Sequence, residues 1–169
     1  MPRDPALARN RLHALAVTSC AWLVLTSPWV GMLRRIPREA GFLDWAHVVV
    51  GFAALAVGAL YAAACVRAGA WRSYFPWVAG GGRAVGRDVA GLLRGRLPSA
   101  EGGGLYATIE GLLLVALVVA GLTGAGWALT QGGADVLVWR DAHVLAARTL
   151  IGLAVLHVLA VAAHLFELA

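Results

Sequence analysis

Four apolar stretches, at about 12–33, 43–66, 105–129 and 141–168, dominate this chain of 169 residues. Each is long enough to cross the hydrocarbon core of a bilayer, which takes about 20 residues of α-helix. In hydrocarbon a lone segment must satisfy its own backbone N–H and C=O groups, so stretches of this kind span as helices. An ordinary soluble domain is excluded, because 60% hydrophobic and 14% charged residues leave too little polar surface to cover one. The expected fold is all-α: an integral-membrane, four-helix, up-and-down bundle forming a single membrane domain over 1–169.

The charge pattern orients that bundle. The chain carries fourteen Arg, no Lys and a net charge of +5. A nucleic-acid partner is excluded by position, since the arginines sit mostly between the apolar stretches. Arg3, Arg9 and Arg11 lie in the N-terminal tail, and Arg67, Arg72, Arg83, Arg87, Arg94 and Arg96 lie in the loop 67–104 against only Asp88 and Glu101. These nine outweigh Arg34, Arg35 and Arg38 of the first linker, so the positive-inside rule puts both termini and the long loop in the cytoplasm. The first stretch begins like a signal peptide but has the length of a span and lacks a convincing cleavage site, which reads as an uncleaved signal-anchor. A multi-pass protein of the bacterial inner membrane follows. Within the loop, 83–96 reads either as an amphipathic helix with Val85, Val89, Leu92 and Leu93 on its apolar side, or as a solvated basic loop, because its glycines weaken a helix. Cys20 and Cys65 fall in apolar stretches without a CxxC or CxxCH pattern and read as packing residues. Trp29, Trp45, Trp71, Trp77, Trp127 and Trp139 lie near span ends, as in an aromatic belt.

All five histidines, His13, His47, His143, His157 and His164, fall inside the spans, although polar groups are costly there. His143 and His157 are separated by about 21 Å of helix and almost four whole turns, which puts them on one side near opposite membrane faces. His13 opens the first span at the cytoplasmic face, and His47 opens the second at the periplasmic face. Matching by depth pairs His47 with His143 and His13 with His157. A single intramembrane histidine is often an interhelical hydrogen-bonding residue; five in spans, four of them matched in depth, point instead to a bound cofactor. Zinc would need further ligands at each level, and no Cys, Asp or Glu is convincingly placed to provide them. Haem iron needs only two axial imidazoles, and without CxxCH the group is non-covalent, which gives two haems b. Arg9 and Arg11 are placed for the propionates of the cytoplasmic haem, Arg140 and Arg148 for those of the other; Arg148 could instead snorkel outward. Glu110 is a candidate proton relay or an interfacial residue. Gly51, one turn beyond His47, and the stretch Gly121–Trp127 permit close approach of a porphyrin or of another helix. His164 has no second histidine left and reads as a propionate or quinone neighbour or a surface residue, unless a tilt of the first helix brings His13 level with it.

The motifs RLH at 11–13, HVVVG at 47–51, LTG at 122–124 and H-x13-H-x6-H at 143–164 together resemble the prokaryotic cytochrome b561 family, which includes the cytochrome b subunits of hydrogenases and formate dehydrogenases. That resemblance implies His13, His47, His143 and His157 as haem b ligands. It also implies transmembrane electron transfer with membrane quinone, either as an autonomous oxidoreductase, for example from superoxide to quinone, or as a subunit beside a redox partner. Where relatives often carry an Arg late in the second helix, this chain has Tyr61. The alternative from another class is a cofactor-free membrane anchor or assembly scaffold.

Overall fold

A computed structural model describes residues 5–98 and 103–167; Arg3, Glu101 and Leu168 lie outside them. The described residues form helices and no strand: α1 (Pro5–Thr26), a 3-10 turn (Ser27–Trp29), α2 (Phe42–Arg67), α3 (Trp71–Tyr74), α4 (Gly82–Leu92), α5 (Leu105–Leu129) and α6 (Val136–Glu167). Four segments are long and apolar enough to cross a membrane: Ala6–Trp29, Phe42–Arg67, Leu105–Leu129 and Val136–His164. Few of their side chains are buried by protein, and Leu25, Leu129 and Leu145 are 71%, 79% and 68% exposed. Such surface is unfavourable in water and unremarkable in lipid, where apolar side chains need no cover.

The helix ends differ from the sequence expectation in four places. The first helix opens at Pro5, ahead of the apolar stretch, because proline suits a first helical turn and Ala6–Arg11 contains good helix formers. It stops at Thr26, where Pro28 enters the 3-10 turn and Val30 becomes extended. The last helix starts at Val136, inside the expected loop, and Val136 is fully buried. The basic loop does contain a helix, α4, but it ends at Leu92, and Gly95 turns the chain at φ 71°.

The contacts cluster into two compact units. The first comprises residues 1–64 and 116–150, so it contains α1 and parts of α2, α5 and α6. Small residues make its core: Ala16, Ala54, Ala116, Ala120 and Ala146 are buried, with Trp127, Val136 and Leu150. At one end, the linker after α1 is fastened to the linker after α5. Trp127 Nε1–H donates to the Leu33 carbonyl (2.9 Å), Gly132 N–H to the Arg34 carbonyl (2.9 Å) and Ile36 N–H to Gln131 Oε1 (3.1 Å). Gly132 has φ +78°, in the left-handed region that favours glycine. Asp44 accepts from Gly31 N–H (3.1 Å) and Gly41 N–H (3.0 Å), closing the first linker onto the start of α2.

The second unit comprises 65–115 and 151–169. Gly69, at φ 70°, ends α2, with Ala70 N–H returning to the Cys65 carbonyl (3.0 Å). Arg72 lies over the Trp71 ring at 5.5 Å. Asp88 of α4 accepts the Leu105 N–H (2.8 Å), satisfying a free donor at the start of α5. Tyr106 donates its hydroxyl to the Ala160 carbonyl (3.0 Å), which ties α5 to α6.

Trp127 is 3% exposed, so it is a structural strut rather than part of an outward belt. Replacing it with Phe keeps most of the ring and leaves the Leu33 carbonyl without its donor. A loss of about 1–3 kcal/mol is expected, read as a lower unfolding temperature of the detergent-solubilised protein with the helical content of the folded state unchanged.

Candidate functional site

Three of the expected ligands lie in the first unit. His143, on α6, turns its ring toward α5, and its Nδ1 is 2.8 Å from the Ala120 carbonyl. A carbonyl only accepts, so Nδ1 carries the proton and Nε2 keeps its lone pair free for a metal. A histidine that binds a metal through one nitrogen commonly donates its other N–H in this way, which holds the ring's orientation. Gly124 makes the approach possible. A Cβ at that position would stand 3.0 Å from both Cε1 and Nδ1 of the ring.

The other glycines of this stretch of α5 serve the same purpose with other partners. A Cβ at Gly121 would lie 2.8 Å from Leu55 Cδ1 on α2, and one at Gly126 would lie 2.5 Å from the Trp139 ring on α6. Helix and side-chain packing occupies all three, which answers the open question about GLTGAGW. Gly51 differs, since no atom stands within 4 Å of where its Cβ would be. It lies one turn beyond His47 on the same face of α2.

His47 lies in α2 about one helical turn after Asp44, which closes the first linker through Gly31 and Gly41. His47 Nδ1 is buried and has no hydrogen-bond partner. His13 is exposed, and its ring lies 5.6 Å from that of Tyr61, tilted by 51°. Tyr61 is the residue that stands where the resemblance expects an arginine, and its contact is with a candidate ligand.

The second unit holds His157 and His164 on α6. Both have a buried Nδ1 without a hydrogen-bond partner. The His164 ring lies edge-on to Tyr106, with centroids 6.2 Å apart. Glu110 is exposed and lines an open cavity of about 500 Å3 with Arg72, Ser73, Tyr74 and Pro76. Of the arginines considered for propionates, Arg11 and Arg148 are exposed, Arg9 is half-buried, and Arg140 pairs with its neighbour Asp141 (Nε–Oδ1 3.3 Å).

These residues fit a haem. A buried imidazole nitrogen without a partner is a group the protein has desolvated and left unsatisfied, which is costly unless something else binds the ring. His47 and His157 are both of this kind. The space beside Gly51 leaves room on the His47 face of α2, and the Ala120 carbonyl sets the His143 tautomer for ligation. Among the described residues no three His, Cys, Asp or Glu side chains converge as a metal cluster. A porphyrin iron asks for no more than two protein ligands.

Sequence reasoning missed the Ala120 carbonyl and the role of Gly124. A backbone acceptor has no side-chain signature, and the LTG motif does not say which helix its glycine meets.

The family model for prokaryotic cytochrome b561 matches residues 7–168 of the chain. No curated protein and no solved structure matches it.

Gly124→Ala is expected to push the His143 ring aside by a few tenths of an ångström, at an overpacking cost of about 1–3 kcal/mol. The haem-to-protein ratio of the purified variant should fall. Gly31→Ala, where a Cβ meets nothing within 4 Å, should leave the ratio unchanged.

Proposed function

The chain belongs to the prokaryotic cytochrome b561 family, multi-pass bacterial membrane proteins that carry electrons across the membrane with haem b, and on that premise we propose that it is a dihaem cytochrome with bis-histidine ligation at both irons. His47 and His143 hold one haem, and His13 and His157 hold the other. Haem held by these histidine pairs would supply one-electron transfer. The protein's part is to hold each ring in orientation, to exclude water with apolar helix faces, and to place cations near the propionates. Arg9 and Arg11 serve the His13/His157 haem, and Arg140 serves the other, where its exposed pairing with Asp141 costs little to exchange.

The observation that carries this reading is the pair of imidazole states: the His143 ring is fixed by the Ala120 carbonyl at 2.8 Å, and the His47 Nδ1 is buried without a hydrogen-bond partner. A histidine kept only for interhelical hydrogen bonding would have its need met by that carbonyl. It would not explain a second imidazole, that of His47, whose buried Nδ1 has no hydrogen-bond partner.

The proposal extends to topology and partners. The chain forms one membrane domain of the bacterial inner membrane, with both termini and the 67–104 loop in the cytoplasm, in accord with the arginine distribution. The two haems connect a periplasmic donor with membrane quinone, either autonomously or as the cytochrome b subunit of a dehydrogenase or hydrogenase. Superoxide-driven quinone reduction by the isolated protein would identify the autonomous case.

Haem content and a redox titration of the purified protein test the core of the proposal. His143→Ala and His157→Ala should each lower the haem count from two to about one, because a bis-histidine site rarely survives the loss of an axial ligand. Retention of both haems by either variant overturns the assignment. Gly51→Leu adds a different readout: the apoprotein should fold as before, since the space beside this position is open, while haem bound between His47 and His143 should be lost.

A further inference from the structure

The helix α4 has an apolar face that the protein covers only in part, with Val85 half-buried and Val89, Leu92 and Leu93 exposed. None of its residues is buried. Val89 and Leu92 are each 44% exposed and Leu93, just past its end, is 86% exposed; Trp77 and Val78 ahead of it are 45% and 66% exposed. At 100° per residue, Val85, Val89, Leu92 and Leu93 fall within an arc of about 100°, and Arg83 and Arg87 lie on the opposite side. Arg94 and Arg96 follow, both exposed.

Topology says what lies beneath this face. The segment 68–104 joins α2 to α5, which are consecutive spans, so both of its ends return to the same face of the membrane. An amphipathic helix held between two such ends has a bilayer surface beside it. Charge says which lipids suit it. Residues 67–98 carry six arginines against Asp88, and the Asp88 carboxylate is engaged by the Leu105 N–H (2.8 Å) rather than by the arginine face. A guanidinium presents paired donors that match phosphate oxygens, and arginines at a membrane surface favour anionic over neutral headgroups.

We propose that α4 is an in-plane anchor: Val85, Val89, Leu92 and Leu93 enter the boundary between headgroups and acyl chains, Arg83 and Arg87 bind the phosphates of anionic lipids, and Asp88 transmits this seating to the first turn of α5. The link to α5 is tight. A Cβ at Gly104 would run into the Asp88 carboxylate, so the two elements meet with no side chain between them at that point. This inference depends on the membrane spans and is independent of the haem assignment.

The test uses the full chain in lipid nanodiscs, one set of phosphatidylcholine and one of phosphatidylcholine mixed with phosphatidylglycerol. Amide hydrogen exchange of residues 82–93 is the readout, with residues 112–125 of α5 as the control for folding. Exchange over 82–93 should be slower in the anionic discs by on the order of fivefold for each arginine that engages. The double variant Arg83→Gln/Arg87→Gln should abolish that lipid difference, and Leu92→Ser/Leu93→Ser should abolish protection in both lipids. Equal exchange in the two lipids, protection that survives the serine substitutions, or protection that appears only when two chains share a disc would each overturn the proposal, the last in favour of self-association. If the serines disturb the α5 control, the glutamine pair, which removes no apolar side chain from the buried face, decides the matter alone.

Discussion

A polar nitrogen withdrawn from water must find a partner, and this chain places several imidazoles in apolar helices where that demand is acute. His143 meets it with the Ala120 carbonyl, while His47, His157 and His164 each keep a buried Nδ1 that no protein group answers. Packing alone gives no reason to keep such groups, since an apolar residue of similar size would fill the space without the cost. The haem ligation proposed for His47, His143 and His157 would give these imidazoles a reason to be there, and the Ala120 carbonyl and Gly124 are the local means by which the His143 ring is held.

Close approach is achieved by the absence of side chains. Along α5, Gly121, Gly124 and Gly126 admit in turn Leu55, the His143 ring and the Trp139 ring, each at a distance that a methyl group would prevent. Lipid is as apolar as leucine, so helices in a bilayer gain little by hiding leucines from it and associate instead through small residues that let backbones and rings approach. The buried alanines of the first unit, among them Ala54, Ala116, Ala120 and Ala146, follow the same rule. Gly51 is the exception that marks space rather than contact.

Polar bonds do their fastening at the span ends. The linkers after α1 and α5 share backbone and side-chain hydrogen bonds through Trp127, Gly132 and Gln131, and Asp88 joins α4 to α5 in the second unit. These contacts involve backbone groups in irregular segments, which have no helical partner and must be satisfied some other way. Residues 30–33 are apolar yet not helical: Pro28 ends the helical run, and the Leu33 and Arg34 carbonyls beyond it are then taken by Trp127 and Gly132.

What the sequence alone determined was the medium and the elements. Four apolar stretches demanded four spanning helices, the third of them delimited to the residue at 105–129, and five histidines inside those spans, with the motifs around them, pointed to haem and to the family that the match over residues 7–168 establishes. Hydropathy and ligand chemistry are local properties, legible from residue type and spacing. Only the tertiary structure decided that the Ala120 carbonyl sets the His143 tautomer, that Gly124 rather than Gly51 makes room for that ring, and that Tyr61 stands beside His13. Those facts depend on which face of one helix meets which face of another, and neither a carbonyl nor a glycine reveals its partner until the helices are packed.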